Sequence, residues 1–280
     1  MQETAIAVDW SGARTGERAK LWLAEASGGR LLRLEAGRDR AQLVEHLIDR
    51  AGEVPELIVG FDFSFSFPAW FCRELGVNDA FELWERIERE GERWIAACPP
   101  PFWGRRGTRR PVPDSGRPLF RRTESARLPL RGIHPKSTFQ LAGPGSVGVG
   151  TLRGVPFLRL LRERGFAVWP FDAPRRPLVV EIYPRWLTGP VRKSNASARR
   201  LFVSTRLADQ ASELVERAAG SEDAFDAAVS ALRMSRHAPT FQRLPPVEDP
   251  LERLEGCIWR PLADPFLPGP GSASETWTRA

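Results

Sequence analysis

Three acids in this chain share one setting. Asp9 follows the apolar run Ala5-Ile6-Ala7-Val8, Asp62 follows Leu57-Ile58-Val59-Gly60-Phe61, and Glu181 follows Leu178-Val179-Val180. Short apolar runs with β-branched members read as buried strands. A carboxylate at the mouth of a buried strand needs a cation or hydrogen-bond donors, because an isolated buried charge is costly. Asp9 alone, ahead of Ser11-Gly12, has a blander explanation as the cap of a loop turn. The recurrence shifts the reading towards three strands that converge their acids at one edge of one sheet. A further source of acid is the stretch from Ser221 to Arg233. At helical spacing Glu222, Asp223, Asp226, Ser230 and Arg233 share one stripe, and apolar residues cover the rest. Ser221 suits the N-cap, and Glu222 and Asp223 suit the first turn. A helix that is apolar around most of its circumference is largely buried, so its acidic stripe faces either solvent or a cavity. With strand-end acids available, a cavity is the better reading.

The elements that must position these acids follow in order. Residues 19–26 and 30–35 read as strands around the Gly28-Gly29 turn, so the first three strands form an antiparallel meander. Asp39 suits the N-cap of a helix through Arg50, with Leu43, Leu47 and Ile48 on its apolar face. That helix lets the strand at 56–61 return parallel to the first, which would set Asp62 beside Asp9. Helices are expected over 81–97 and 155–164, strands over 166–171 and 177–183, and mostly helix over 185–219. A last short strand is expected at 256–259. Residues 264–280, rich in Pro, Gly and Ser, read as a disordered tail. The organisation expected is one domain over 1–263 with a large insertion at about 66–150, placed over the site.

Composition limits the function classes. The 280 residues are 42% hydrophobic and 27% charged, an ordinary globular balance. No apolar run approaches the roughly 20 residues needed to cross a bilayer. No secretory signal is visible, and Cys72, Cys98 and Cys257 are scattered, so a reducing cytoplasm is the expectation. His46, His134 and His237 are too dispersed for a zinc site. The net charge is +6, and the only lysines are Lys20, Lys136 and Lys193. Between Gly104 and Lys136 ten basic residues face only Asp114 and Glu124, a local net of +8. This concentration points to a polyanion partner, with Arg105, Arg106, Arg109, Arg110, Arg121 and Arg122 as the candidate contacts. The alternative is a solvated basic loop.

The segments AVDWSGA, IVGFDFSFSFP, GTLRGVPFLRLL, FAVWPFD, VVEIYPR, SEDAFDAAVSAL and LERLEGCIW, in this order, resemble domain-of-unknown-function family 429, predicted ribonuclease H-like nucleases. They cover most of the chain outside 98–145. The resemblance implies an α/β ribonuclease H-like mixed sheet: three antiparallel strands, then parallel ones, with an Arg/Pro-rich insertion. It also implies a metal-dependent nuclease using Mg2+ or Mn2+ on nucleic acid, DNA or RNA. Two hard cations roughly 3.5–4 Å apart can activate water and stabilise the leaving oxygen. Asp9 would bridge the metals, Asp62 would bind one, and Asp226 or Asp223 would close the other site. Glu181 would be a further ligand or orient a water. The ribonuclease H enzymes carry an acid on the first helix, where only Glu45 or Asp49 could serve here. The site is more similar to the Holliday-junction-resolvase branch. Two alternatives stand beside this reading: a non-catalytic nucleic-acid-binding module, and an actin-like ATPase or kinase using DWSGARTG as a phosphate cradle.

Overall fold

The computed structural model describes residues 3–261, except 113, 115, 126–132 and 144. Strand β1 (Thr4–Asp9) is followed by a single-turn helix α1 (Glu17–Lys20), then by antiparallel β2 (Trp22–Ser27) and β3 (Arg30–Glu35). The second strand therefore starts later than the sequence pattern suggests, because its first residues are wound into α1. Helix α2 (Arg40–Glu53) begins with a reciprocal cap: Asp39 accepts from the Gln42 N–H, and Gln42 accepts from the Asp39 N–H. Strand β4 (Ile58–Phe61) leads into α3 (Ala69–Glu74), α4 (Ala80–Ala97), α5 (Arg122–Ser125) and α6 (Gly148–Glu163). Strands β5 (Ala167–Val168) and β6 (Leu178–Glu181) come next. The chain continues through α7 (Pro184–Thr188), α8 (Ala196–Arg206), α9 (Ser212–Gly220), α10 (Glu222–Arg236) and α11 (Pro250–Glu255).

The six strands form one mixed sheet in the order β3-β2-β1-β4-β6-β5. The first three are antiparallel; β4, β6 and β5 run parallel to β1. Both faces are covered, and alternate residues divide between them. Ile6, Val8, Val59, Phe61 and Val179 join one core with residues of α2, α4 and α6. Ala5, Ala7, Ile58 and Val180 join the other, together with Phe225, Ala228 and Met234 of α10. Small residues let α10 approach closely. A Cβ added at Gly60 would stand 2.6 Å from the Met234 sulfur.

Much of the described part of 66–150 packs into the first core, while 104–107 and 109–110 are exposed. Phe67, Phe71, Trp94, Phe102 and Phe139 form a contiguous aromatic cluster with ring centroids 5.1–5.8 Å apart. Edge-on and tilted pairs of this kind each add to the stabilisation that burial already supplies. Helix α6 starts at Gly148, seven residues before the expected start. Its glycines disguise it, since glycine is a poor helix former, but Gly148 and Gly154 are needed for packing. A Cβ at Gly154 would stand 2.6 Å from the Phe63 ring.

Two expected strands contract. The segment at 166–171 keeps only Ala167–Val168, because Pro170 has no N–H to give a ladder. The segment at 256–259 reduces to one bridge between Ile258 and Glu181. Residues 264–280 lie outside the described residues. Among the described residues no helix is long and apolar enough to cross a membrane.

Candidate functional site

Strand register brings the first two acids together. Val8 lies opposite Phe61 in the parallel β1–β4 pair, so the next residues, Asp9 and Asp62, leave the sheet side by side. The Trp10 N–H donates to Asp62 Oδ1 at 2.6 Å and ties the two strand ends together. Val8 and Phe61 both point into the aromatic core. Alternation therefore sends Asp9 and Asp62 towards the α10 face. Helix α10 arrives there capped by Ser221, whose Oγ accepts from the Ala224 N–H at 3.0 Å. It is buried continuously from Ala224 to Ser235. Asp226 lies one turn in and is 2% exposed, whereas Asp223, in the first turn, is half-buried.

The electrostatics bind these residues into one group. Burial pushes Asp9 well above the ordinary carboxylate range, and the charges of Asp62, Asp226 and Asp223 push it further; Lys193 opposes them. Asp62 is pushed up to about 7, first by burial and then by Asp226, while the Trp10 N–H and Lys193 pull it down. Asp226 is raised by burial and by Asp223, against the opposing field of Lys193. Asp223 is also raised, mainly by burial. Asp9 and Asp62 nevertheless keep a solvent-accessible edge. Asp226, by contrast, is buried.

Lys193, between α7 and α8, is the member of this charged group that motif reasoning passed over. Its ammonium bonds Asp226 Oδ2, and it also faces Asp9 and Asp62. Asp226 Oδ1 is left buried with no hydrogen-bond partner, as is Ser230 Oγ one turn further along. A buried carboxylate oxygen with no donor is costly, and a hard cation would satisfy it. The donor set, all carboxylate oxygen, fits Mg2+ or Mn2+. Among the described residues no three His, Cys, Asp or Glu side chains form a ready-made metal cage.

Glu181 does not join the cluster. It pairs in register with Phe61 and so points to the opposite face of the sheet from Asp9. There Arg121 donates to both its oxygens, and the Phe65 N–H donates to Oε2 at 2.9 Å. This corrects the expectation that three strand-end acids converge: one residue of offset exchanges the faces. Arg121, expected on a polyanion surface, is 0% exposed and buried between Glu181 and Glu124. It cannot reach a phosphate. Arg122 is half-exposed and paired with Asp249. Arg105, Arg106, Arg109 and Arg110 are exposed, with the Arg110 guanidinium 5.8 Å from the Trp103 ring centre. Glu45 and Asp49 of α2 point to solvent.

The raised acids set a pH dependence for the metal-free chain. A carboxyl raised in the folded state makes the native chain hold more protons than the unfolded chain, from the ordinary carboxylate range up to about pH 7. Its stabilising contribution is complete below that range and is lost as pH rises through about 7. In chelator, the melting temperature should fall from pH 5 to pH 8. Asp62→Asn should make this fall shallower, because it deletes one such group. Glu124, also pushed up to about 7 by burial, acts with the same sign in both proteins and cancels in the difference. Parallel pH profiles would show that Asp62 is not raised.

No family model matches the chain, and no curated protein or solved structure was found to be similar to it.

Proposed function

We propose that this chain is a ribonuclease H-like, metal-dependent hydrolase of phosphodiester bonds. The observation that carries the reading is Asp226: a 2% exposed carboxylate, one oxygen without a partner, facing two further acids at adjacent parallel strand ends. The sheet order and the late helix with its acids support the resemblance to domain-of-unknown-function family 429. Asp9, Asp62 and Asp226 would hold Mg2+ or Mn2+, with Asp223 at the rim. When bound, such an ion supplies an activated water and charge stabilisation on the phosphate. Asp9 is the central group, with Asp62 on one side and α10 on the other. Asp62 is oriented by the Trp10 N–H, which donates to its Oδ1. Lys193 adds a positive charge beside the place where the anionic phosphate would sit.

The exposed Arg105, Arg106, Arg109 and Arg110 suit the nucleic-acid backbone. The Lys193–Asp226 ion pair favours a second reading, a non-catalytic binding module whose acids are structural. One experiment separates the two. Cleavage of labelled single-stranded, duplex and branched DNA and RNA is measured in Mg2+, Mn2+ and chelator, with binding followed against salt. Metal-dependent cleavage supports the hydrolase. Binding that ignores chelator, with no cleavage of any substrate, would establish the module instead. Each phosphate contact contributes about −0.7 to −0.9 to the slope of log affinity against log salt. Replacing the four exposed arginines with glutamine should flatten that slope; an unchanged slope would mean that the loop is only solvated.

A further inference from the structure

We propose that Lys193 is a built-in cation that occupies one cation position of the acid cluster, so that the chain takes up one divalent ion where three carboxylates would otherwise invite two. This rests on the metal-site reading above. The lysine is held where it is by its backbone and not by its own side chain alone. The Lys193 carbonyl accepts from Arg199 Nη1, and the same guanidinium donates from Nε to the Ala219 carbonyl at 3.0 Å and from Nη2 to the Gly220 carbonyl at 3.5 Å. Ala219 and Gly220 immediately precede the cap of α10. Arg199 is 7% exposed, so a buried arginine sets the spacing between the lysine loop and the start of the acid helix. On the other side, Arg185 Nη1 donates to the Val191 carbonyl at 2.6 Å, and the Lys193 N–H donates to that same carbonyl at 2.9 Å. The loop is tied at both ends, and the ammonium is delivered to Asp226.

Charge and geometry then define what it does. The three acids that face Lys193, namely Asp9, Asp62 and Asp226, carry three negative charges when ionised, and Lys193 offsets one. The remaining two are matched by a single divalent cation, with Asp223 outside this group at the rim. Asp226 divides its two oxygens accordingly: Oδ2 is taken by the lysine, and the buried Oδ1 has no partner. A second divalent ion would have to displace or repel the ammonium. Lysine suits this task because its charge is compact and its stem flexible. It is one of only three lysines in an arginine-rich chain.

The test is a calorimetric Mn2+ titration of the full chain, its Lys193→Met and Lys193→Arg variants, without nucleic acid. The expected result is one Mn2+ per wild-type chain. Lys193→Met should take up a second ion, or bind the first about tenfold more tightly, whereas Lys193→Arg should resemble wild type. Equal stoichiometry and affinity in wild type and Lys193→Met, or two ions already in wild type, would overturn the proposal and leave the metal site standing. No binding by any of the proteins would instead overturn the metal-site reading. Lys193→Met leaves the buried Asp226 without its partner, so a cooperative melting transition of the variant is established before titration. Should Lys193→Met fail to fold, Lys193→Gln removes the same charge and carries the same expectation.

Discussion

Arg121→Met is expected to cost about 3–5 kcal/mol of folding stability, the range for removing one partner of a buried ion pair. Urea denaturation at neutral pH measures it. Arg121 is 0% exposed, and its donors are shared among three partners. Nε meets Glu124 at 2.9 Å, Nη1 and Nη2 meet Glu181, and Nη1 also meets the Glu255 carbonyl at 3.0 Å. Glu255 in turn accepts from the Ala69 N–H and the Arg122 N–H. One guanidinium therefore joins the end of β6 to α3, α5 and α11. Methionine matches part of its volume but leaves two carboxylates buried without their counter-charge. Glu181 and Glu124 would have to take up protons or drag in water. Adding Glu181→Gln to the variant should recover part of the loss, since it removes one of the stranded charges. A loss below about 1 kcal/mol in Arg121→Met would show that the cluster does not hold the fold. Because Glu181 faces away from Asp9, the folded fraction of the variant should still bind Mn2+.

Asp9→Asn should reduce metal-dependent cleavage by about a thousandfold while raising the melting temperature in chelator. Both effects have one cause. Asp9 is the acid on which burial and the charges of Asp62, Asp226 and Asp223 all act in the same, unfavourable direction. In the metal-free chain that is repulsion, and an uncharged amide of the same shape relieves it. When a divalent ion is bound, the same negative charge becomes attraction, and losing several kcal/mol of it lowers the rate by about three powers of ten. Asp223→Asn provides the contrast. Asp223 lies in the first turn of α10, where its charge favours the helix dipole by about 0.3–1 kcal/mol. The burial that raises Asp223 opposes this gain, so its replacement should change stability little and leave much of the cleavage. Nuclease assays in Mn2+ and thermal melts in chelator, on both variants, decide the matter. Wild-type cleavage by Asp9→Asn would place the chemistry elsewhere. A lower chelator melting temperature for Asp9→Asn would show that its charge is already satisfied within the protein.

What could be read from the chain alone was what depends on near neighbours. The caps at Asp39 and Ser221 act over three residues, so they are visible in the residue pattern. The meander, the returning parallel strand and the acid-bearing helix follow from apolar periodicity and turn residues, which are also local. So does the adjacency of Asp9 and Asp62, because two parallel strands that both end in an acid need only be in register. Three features needed the tertiary structure. Glu181 turned to the other face because strand pairing sets it opposite Phe61 and not Asp62; register is a relation between segments 120 residues apart. Arg121 looked like one more surface arginine because its partner Glu181 lies 60 residues away, and nothing local to a basic stretch marks the one side chain that is buried. Lys193 carried only one faint signal, its rarity among the arginines. Its part in the site depends on Arg199 anchoring its loop to the start of α10. Periodicity reveals which face of an element is apolar; which charges meet across the space between elements is decided by packing, and in this chain packing chose both the members of the acid cluster and its cation.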